Sequence, residues 1–286
     1  MGMVVRPWGH GGPVVVTSED TAPAPPDVAQ LDALLRTHGA VWLRGFGLGL
    51  QDFSRVSRAL MPQPRKTPLE RVPHPLHRDV ETVTKGTQAQ NWHAEYSHLP
   101  HRTARMAFAC EVPGAPLHVV DGVALVDALP RWAVERLSGR NLCFTSWHPA
   151  TLWQAVLGTS DVATVAQQAA AIPGYKVTFN PDGSLHAALV VPALHRDDAT
   201  GRLCLCNNLL PGAYAALAVT WEDGSAVEED LLRAVQVAAD ANRNSTQWSA
   251  GDAVWLDNHR CMHARDVQPI SRRHWMMQGW PRNPQE

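Results

Sequence analysis

The stretch Gly251–Arg265 reads GDAVWLDNHRCMHAR and carries the clearest structural signal in this chain of 286 residues. A turn signal at its start is followed by the apolar run 253–256, and a polar segment with His259 and His263 ends it. Apolar runs that follow turn residues are typical of strands. The stretch therefore predicts a strand whose end carries candidate metal ligands.

A second motif, NWHAEY at 91–96, places His93 and Glu95 two residues apart. Side chains alternate along a strand, so both would project from the same face. The pair alone is a weak signal, because the chain contains 14 histidines. An imidazole and a carboxylate that face one way nevertheless suit a divalent metal, and a distant second histidine would complete a 2-His-1-carboxylate site with open positions for catalysis.

The pattern around these motifs is rich in strands. Strands are predicted for AVWLRGF (40–46), for the apolar runs between 91 and 129, for the two sides of the turn at 181–183 and for the closing segment 248–277. Helical spacing of apolar residues occurs in 28–35, 50–60 and 227–241. We expect a mostly β fold with helices (α+β), in which a double-stranded β-helix (jelly roll) core is decorated by helices.

One domain over residues 1–286 is the predicted organisation, since all-β cores of this size often form one unit. Within it, residues 1–26 are expected to be an N-terminal extension and 223–245 a helical insertion. Residues 62–90 contain prolines and charges without a clear period, which predicts a long loop that acts as a lid.

The composition excludes several classes of protein. A net charge of −2 gives no basic surface for nucleic acid. The sequence also lacks an apolar run long enough to span a membrane, and its start lacks the features of a signal peptide, so we expect a cytoplasmic protein without a membrane partner. Its five cysteines form no CxxC pair and are interpreted as reduced thiols.

The motifs together resemble the TauD/TfdA group of iron(II)- and 2-oxoglutarate-dependent dioxygenases, especially its SyrP-like and clavaminate-synthase-like branch. The resemblance covers most of residues 28–280. The segments that carry it occur in the family's order: AVWLRGF (40–46), NWHAEYSH (91–98), HRDDATGRLCLCN (195–207), TWEDGSAVEEDLL (220–232), WSAGDAVWLDN (248–258), HAR (263–265) and PISRR (269–273).

The resemblance implies that Fe(II) is held by His93, Glu95 and His263, with 2-oxoglutarate and dioxygen as cosubstrates. In the family the distal histidine lies six residues after the Asp of the D-N pair, which selects His263 over His259. An arginine after that histidine grips 2-oxoglutarate, and the resemblance assigns this role to Arg273. Periodicity alone leaves the choice open, because Arg272 groups with 274 and 276 on one strand face and Arg273 with 275 and 277 on the other.

Two departures from the family pattern bear on function. Leu117 stands where relatives have a threonine that helps to hold 2-oxoglutarate, so cosubstrate binding is expected to be altered at that end. Met277 stands where taurine enzymes have a second arginine, which makes taurine a poor candidate.

The resemblance implies oxidation, with hydroxylation favoured, of an amino acid or a carrier-tethered amino-acyl group in specialised metabolism. The partner is then a small-molecule substrate, either free or presented by a carrier protein, and a homo-oligomer is left open. An iron oxygenase that ignores 2-oxoglutarate and a non-enzymatic metal-binding jelly roll are the alternatives. Polar residues near the motifs are candidates for substrate contact, although ordinary hydrogen bonding explains them equally well: Asn91, Ser97, Arg102, Asn207 and Arg260.

Overall fold

Two mainly antiparallel sheets form the centre of the fold, and buried side chains from both pack between them. The structure is a computed structural model that describes residues 3–18, 24–67, 71–83, 86–212 and 217–281. The strands are β1 (Met3–Pro7), β2 (Val14–Ser18), β3 (Ala40–Arg44), β4 (Gln63–Pro64), β5 (Glu81–Thr82), β6 (Gln90–His93), β7 (Arg105–Val112), β8 (Leu117–Asp121), β9 (Asn141–His148), β10 (Tyr175–Phe179), β11 (Leu185–Pro192), β12 (His195–Arg196), β13 (Leu203–Cys204), β14 (Leu217–Trp221), β15 (Asn244–Ser245), β16 (Ala253–Asp257), β17 (Cys261–Arg265) and β18 (Arg273–Trp280). The helices are α1 (Val28–His38), α2 (Leu50–Leu60), α3 (Gly122–Ala128), α4 (Arg131–Leu137), α5 (Ala150–Leu157), α6 (Val162–Ala170) and α7 (Glu229–Ala241).

The larger sheet has the strand order β1-β2-β3-β16-β7-β18-β4, and β5 also pairs with β18. Its central strand β16 is buried on both faces because its side chains alternate between two clusters. Val254 and Leu256 pack between the sheets, whereas Ala253 and Trp255 pack against α1 and α2. The apolar run in the sequence is thus a strand with both faces covered.

The smaller sheet, ordered β15-β8-β17-β6, lies opposite the larger one and is antiparallel throughout. Val119 of β8 and Cys261 of β17 join Phe108 and Met276 of the larger sheet in a shared buried cluster. Such facing sheets are the jelly-roll arrangement, and the predicted fold class is confirmed.

A third sheet, β10-β11-β9-β14, is covered by helices on both faces. Leu185 and Ala187 of β11 pack with side chains of α5 and α6, while Leu142 and Phe144 of β9 belong to the cluster that includes α3, α4 and α7. Helix α7 falls inside the predicted insertion 223–245.

Two predicted segments are more closely integrated than expected. Much of the expected extension 1–26 belongs to the larger sheet, since β2 runs parallel to β3 and buries Val14 and Val16. The expected loop 62–90 contributes β4 and β5, which pair with β18. The single-domain organisation stays a prediction.

All five cysteines are free thiols, and four of them are buried. Among the described residues no helix is both long and apolar enough to cross a membrane.

Candidate metal centre and cavity

His93 and His263 face each other across neighbouring strands of the smaller sheet. His93 is the last residue of β6 and is the register partner of His263 on β17. Their ring centroids are 4.1 Å apart. The Nδ1 atom of His93 lies 2.7 Å from the carbonyl oxygen of Asn91, which orients its Nε2 atom away from the strand backbone.

Glu95 lies in the turn that follows β6, and a buried asparagine fixes its backbone. The Oδ1 atom of Asn258 accepts a hydrogen bond from the Glu95 N–H at 2.9 Å, and its Nδ2 atom donates to the Glu95 carbonyl at 2.9 Å. The next residue, Tyr96, has φ of 54°, in the left-handed region that few non-glycine residues adopt. The chain therefore turns sharply away just after Glu95.

The three side chains form a compact, buried donor set. One ligand atom from each of His93, Glu95 and His263 lies within 4.8 Å of the others. The Oε2 atom of Glu95 is 3.7 Å from the Nε2 atom of each histidine. Two imidazole nitrogens and one carboxylate oxygen on a single side fit a mononuclear divalent transition metal with open coordination positions.

Two of the candidate ligands, Glu95 and His263, have lowered pKa values, and each is in the protonation state that binds a metal. Burial alone would raise the pKa of Glu95, but the Arg71 guanidinium and the two histidines outweigh it and hold this pKa well below its usual range. Burial, followed by the neighbouring His93, holds the pKa of His263 well below its usual range. At neutral pH the site thus offers an ionised carboxylate and a neutral imidazole.

A cavity of about 50 Å³ opens beside these ligands. Its apolar wall includes Phe108, Leu117, Trp248 and Met276. Its polar wall consists of the three candidate ligands and of further side chains: Arg71, Gln90, Arg265, Gln268, Arg272 and His274. With three arginines and one carboxylate, the cavity carries an excess of positive charge that suits an anionic ligand.

Arg265 and Arg272 lie close to each other and contribute two of the three arginines at the cavity. Burial, then the nearby Arg272, lowers the pKa of Arg265 to about 10. Both guanidinium groups donate to carbonyls of the neighbouring loop, Arg265 to Gln88 at 3.2 Å and Arg272 to Gly86 at 2.9 Å. Beside them the Nε2 atom of His274 is buried with no hydrogen-bond partner among the described residues.

Arg273, the residue to which the family resemblance assigns 2-oxoglutarate, does not line the cavity. Its side chain is 63% exposed and lies 3.4 Å from the Glu111 carboxylate on the outer side of the sheet. Its neighbour Arg272 lines the cavity instead. The reason is that β18 turns the face with His274 and Met276 toward the candidate metal ligands. The role of Arg273 stays a prediction, and Arg272 is the arginine that the cavity favours.

The five polar residues considered for substrate contact are also absent from the described cavity lining. Their side chains bind other parts of the fold or are buried outside the cavity, and their role in substrate contact stays a prediction. Asn91 donates to Pro211 and Gln236, Arg102 to Cys206 and Asn258, Asn207 to Ala193, Arg260 to Asp121 and Thr37, and Ser97 is a buried residue of the turn after Glu95.

Sequence reasoning missed several residues that shape the site. Asn258 is the second residue of the D-N pair in the stretch 251–265. Its side-chain amide is needed to bind the backbone N–H and carbonyl of Glu95, because Glu95 lies in a turn and has no strand partner. His274 and Arg272 share the strand face that periodicity left as an alternative. Arg71 comes from the long segment 62–90, where no local pattern distinguishes it from other arginines.

Replacing Asn258 with Ala is expected to lower the free energy of unfolding by about 2–4 kcal/mol, because buried backbone groups lose their partners. Besides its two contacts with Glu95, the Asn258 amide donates to the Thr103 carbonyl at 2.7 Å. Denaturant titration of the metal-free protein measures the change. The exposed neighbour His259→Ala is the control and should change stability by less than about 0.5 kcal/mol; equal losses in both variants would contradict this role.

Comparison with known proteins identifies relatives over nearly the whole chain. The family model described as taurine catabolism dioxygenase TauD, TfdA family matches residues 6–280. A clavaminate synthase-like protein of Arabidopsis thaliana is 24% identical in an alignment 272 positions long, and this alignment covers 82% of this chain and 79% of that protein.

Solved structures share the fold at low sequence identity. A putative alpha-ketoglutarate-dependent taurine dioxygenase from Burkholderia xenovorans superposes with a TM-score of 0.63 at 14% identity, covering 97% of this chain and 92% of that one. The PvcB protein of Pseudomonas aeruginosa gives a TM-score of 0.61 at 14% identity, covering 96% and 90%. PvcB is described as an Fe, alpha-ketoglutarate dependent oxygenase from an isonitrile synthetic pathway.

Proposed function

This chain belongs to the TauD/TfdA family of dioxygenases, and on that premise we propose that it oxidises an amino acid or a carrier-tethered amino-acyl group with iron(II), 2-oxoglutarate and dioxygen. Hydroxylation is the favoured outcome. In this proposal His93, Glu95 and His263 hold the metal.

The observation that carries the proposal is the buried donor set itself. Its two imidazole nitrogens and one carboxylate oxygen lie within 4.8 Å of one another at the edge of a cavity. Three protein ligands leave coordination positions for small molecules. When bound, iron(II) together with 2-oxoglutarate and dioxygen supplies the oxidant that this family uses.

Arg272 is proposed to bind the far carboxylate of 2-oxoglutarate, with Arg265 beside it. A guanidinium matches a carboxylate with two parallel hydrogen bonds. The carbonyls of Gly86 and Gln88 accept hydrogen bonds from these arginines and hold the two guanidinium groups at the cavity.

The apolar wall is proposed to exclude water from the reacting groups. Phe108, Trp248 and Met276 lie on the cavity side of the larger sheet or its adjoining loop. A dry wall strengthens the electrostatic contacts that orient charged ligands and limits side reactions.

The substrate class is proposed from the relatives and from one feature of the site. The resemblance of the motifs to the SyrP-like and clavaminate-synthase-like branch, together with the similarity to a clavaminate synthase-like protein, supports an amino acid or amino-acyl group. If Arg272 is the anchor, the position four residues beyond it is Met276, an apolar residue of the cavity lining. If Arg273 is the anchor, that position is Met277. In neither case does an arginine stand where the taurine enzymes have one.

Anaerobic titration of iron(II) with and without 2-oxoglutarate tests the proposal. We expect a visible absorption band that requires both components, and dioxygen-dependent release of succinate that increases with the correct amino acid or amino-acyl carrier. Release with free amino acids alone would remove the carrier from the proposal.

Leu117 supports a second candidate, an iron oxygenase that ignores 2-oxoglutarate. It lines the cavity where relatives have a threonine that helps to hold this cosubstrate. Iron binding without an absorption change on adding 2-oxoglutarate, but with oxidation of a substrate, would favour this candidate. Iron binding without any oxidation would favour a metal-binding jelly roll.

A further inference from the structure

We infer that Arg71 is a positioning residue that holds Glu95 as a one-oxygen metal ligand. The inference rests on the proposed metal site and adds to it a residue from outside the three ligands. It concerns how many coordination positions the carboxylate occupies.

The two oxygens of Glu95 face different partners. Oε1 accepts a hydrogen bond from the Nη2 atom of Arg71 at 2.8 Å. Oε2 is turned toward the histidines, at 3.7 Å from each Nε2 atom. A metal held by the three side chains would therefore meet Oε2, while Oε1 is engaged by the guanidinium.

This division matters because a carboxylate can bind a metal with one oxygen or with two. A second bound oxygen would take a position that the cosubstrates need. The Arg71 and Glu95 side chains are only 4% and 5% exposed, so water competes little for this contact. The guanidinium thus keeps the second oxygen away from the metal.

Arg71 is held in place by contacts with the larger sheet. Its N–H donates to the Thr67 carbonyl at 3.0 Å, and Thr67 in turn donates to both carboxylate oxygens of Glu81 at 2.9 and 2.6 Å. Glu81 belongs to β5 and pairs with Met276 of β18. The orienting group is therefore built into the scaffold that carries the cavity wall.

Two other roles for Arg71 lead to different expectations. An arginine that anchored the substrate carboxylate would affect the Michaelis constant of the substrate and leave metal binding unchanged. An arginine that only stabilised the segment 62–90 would weaken metal binding through loss of structure. Measurements on the metal site separate these roles without relying on turnover.

The test compares Mn(II) binding by the wild type and by Arg71→Met. Solvent-proton relaxation counts the waters on bound Mn(II), and titration gives the dissociation constant. We expect about three bound waters in the wild type and about one fewer in the variant, because Glu95 can then bind with both oxygens. We also expect Mn(II) to bind about tenfold more tightly, since a neighbouring positive charge has been removed.

Arg78→Met is the matched control, because Arg78 is an exposed arginine of the same segment. It should leave the water number and the Mn(II) affinity as in the wild type. If Arg71→Met fails to fold, Arg71→Lys replaces it. An ammonium on a flexible stem keeps the charge but holds Oε1 less firmly, so the water number should fall by a smaller amount.

A wild-type water number and affinity in a folded Arg71 variant would overturn the inference, and so would weaker Mn(II) binding. Failure of the wild type to bind Mn(II) would instead overturn the metal site on which the proposed function rests.

Discussion

Replacing His263 with Ala should abolish stoichiometric iron binding and lower the rate of succinate formation by more than about 100-fold, because even the partners of metal ligands commonly contribute 10–100-fold. His263 supplies one of only three clustered donor groups. Two remaining ligands hold a divalent ion too weakly to resist exchange with solvent. Metal analysis after gel filtration and a succinate assay measure the two effects.

His259→Ala is the matched control for this prediction. His259 lies four residues earlier, is exposed and is not part of the donor set. Its variant should keep full iron content. Retention of iron in His263→Ala, with loss in His259→Ala, would reverse the assignment, while His93→Ala and Glu95→Ala should behave like His263→Ala.

Replacing Arg272 with Leu should raise the apparent constant for 2-oxoglutarate by about 10- to 100-fold, because a hydrogen bond to a charged group is worth about 1.5–3 kcal/mol. The constant for the prime substrate should change much less. Arg272→Lys should restore only part of the affinity, since an ammonium cannot bind a carboxylate with two parallel hydrogen bonds. Titration of Mn(II)-loaded protein with 2-oxoglutarate measures the binding step separately from turnover.

The adjacent Arg273→Leu removes the same charge from the other face of β18 and is the matched control. Arg273 lies near Glu111 and is 63% exposed, so its variant should bind 2-oxoglutarate almost as the wild type does. A larger effect at Arg273 would restore the assignment made from the family resemblance. No effect at either arginine would favour an enzyme that does not use 2-oxoglutarate.

Local patterns predicted a large part of the fold and the candidate ligands. The run 253–256 is a strand, and the side chains of His93 and Glu95 do lie together in one buried donor set. However, Glu95 lies beyond the end of β6, so the simple alternation of a strand is not what places it. The Asn258 amide holds the backbone of Glu95, and this contact joins residues 163 positions apart. The left-handed Tyr96 then turns the chain away.

The sequence by itself determined which side chains alternate together: Arg272, His274 and Met276 on one face, and Arg273 with its alternating partners on the other, because strand periodicity is a local property of the backbone. Only the tertiary structure decided which face meets the cavity, because that depends on the opposing smaller sheet. The same holds for Arg71, whose contact with Glu95 joins residues 24 positions apart through pairing of β5 with β18. Local spacing specifies the chemical groups, whereas long-range packing of two sheets specifies which of them meet.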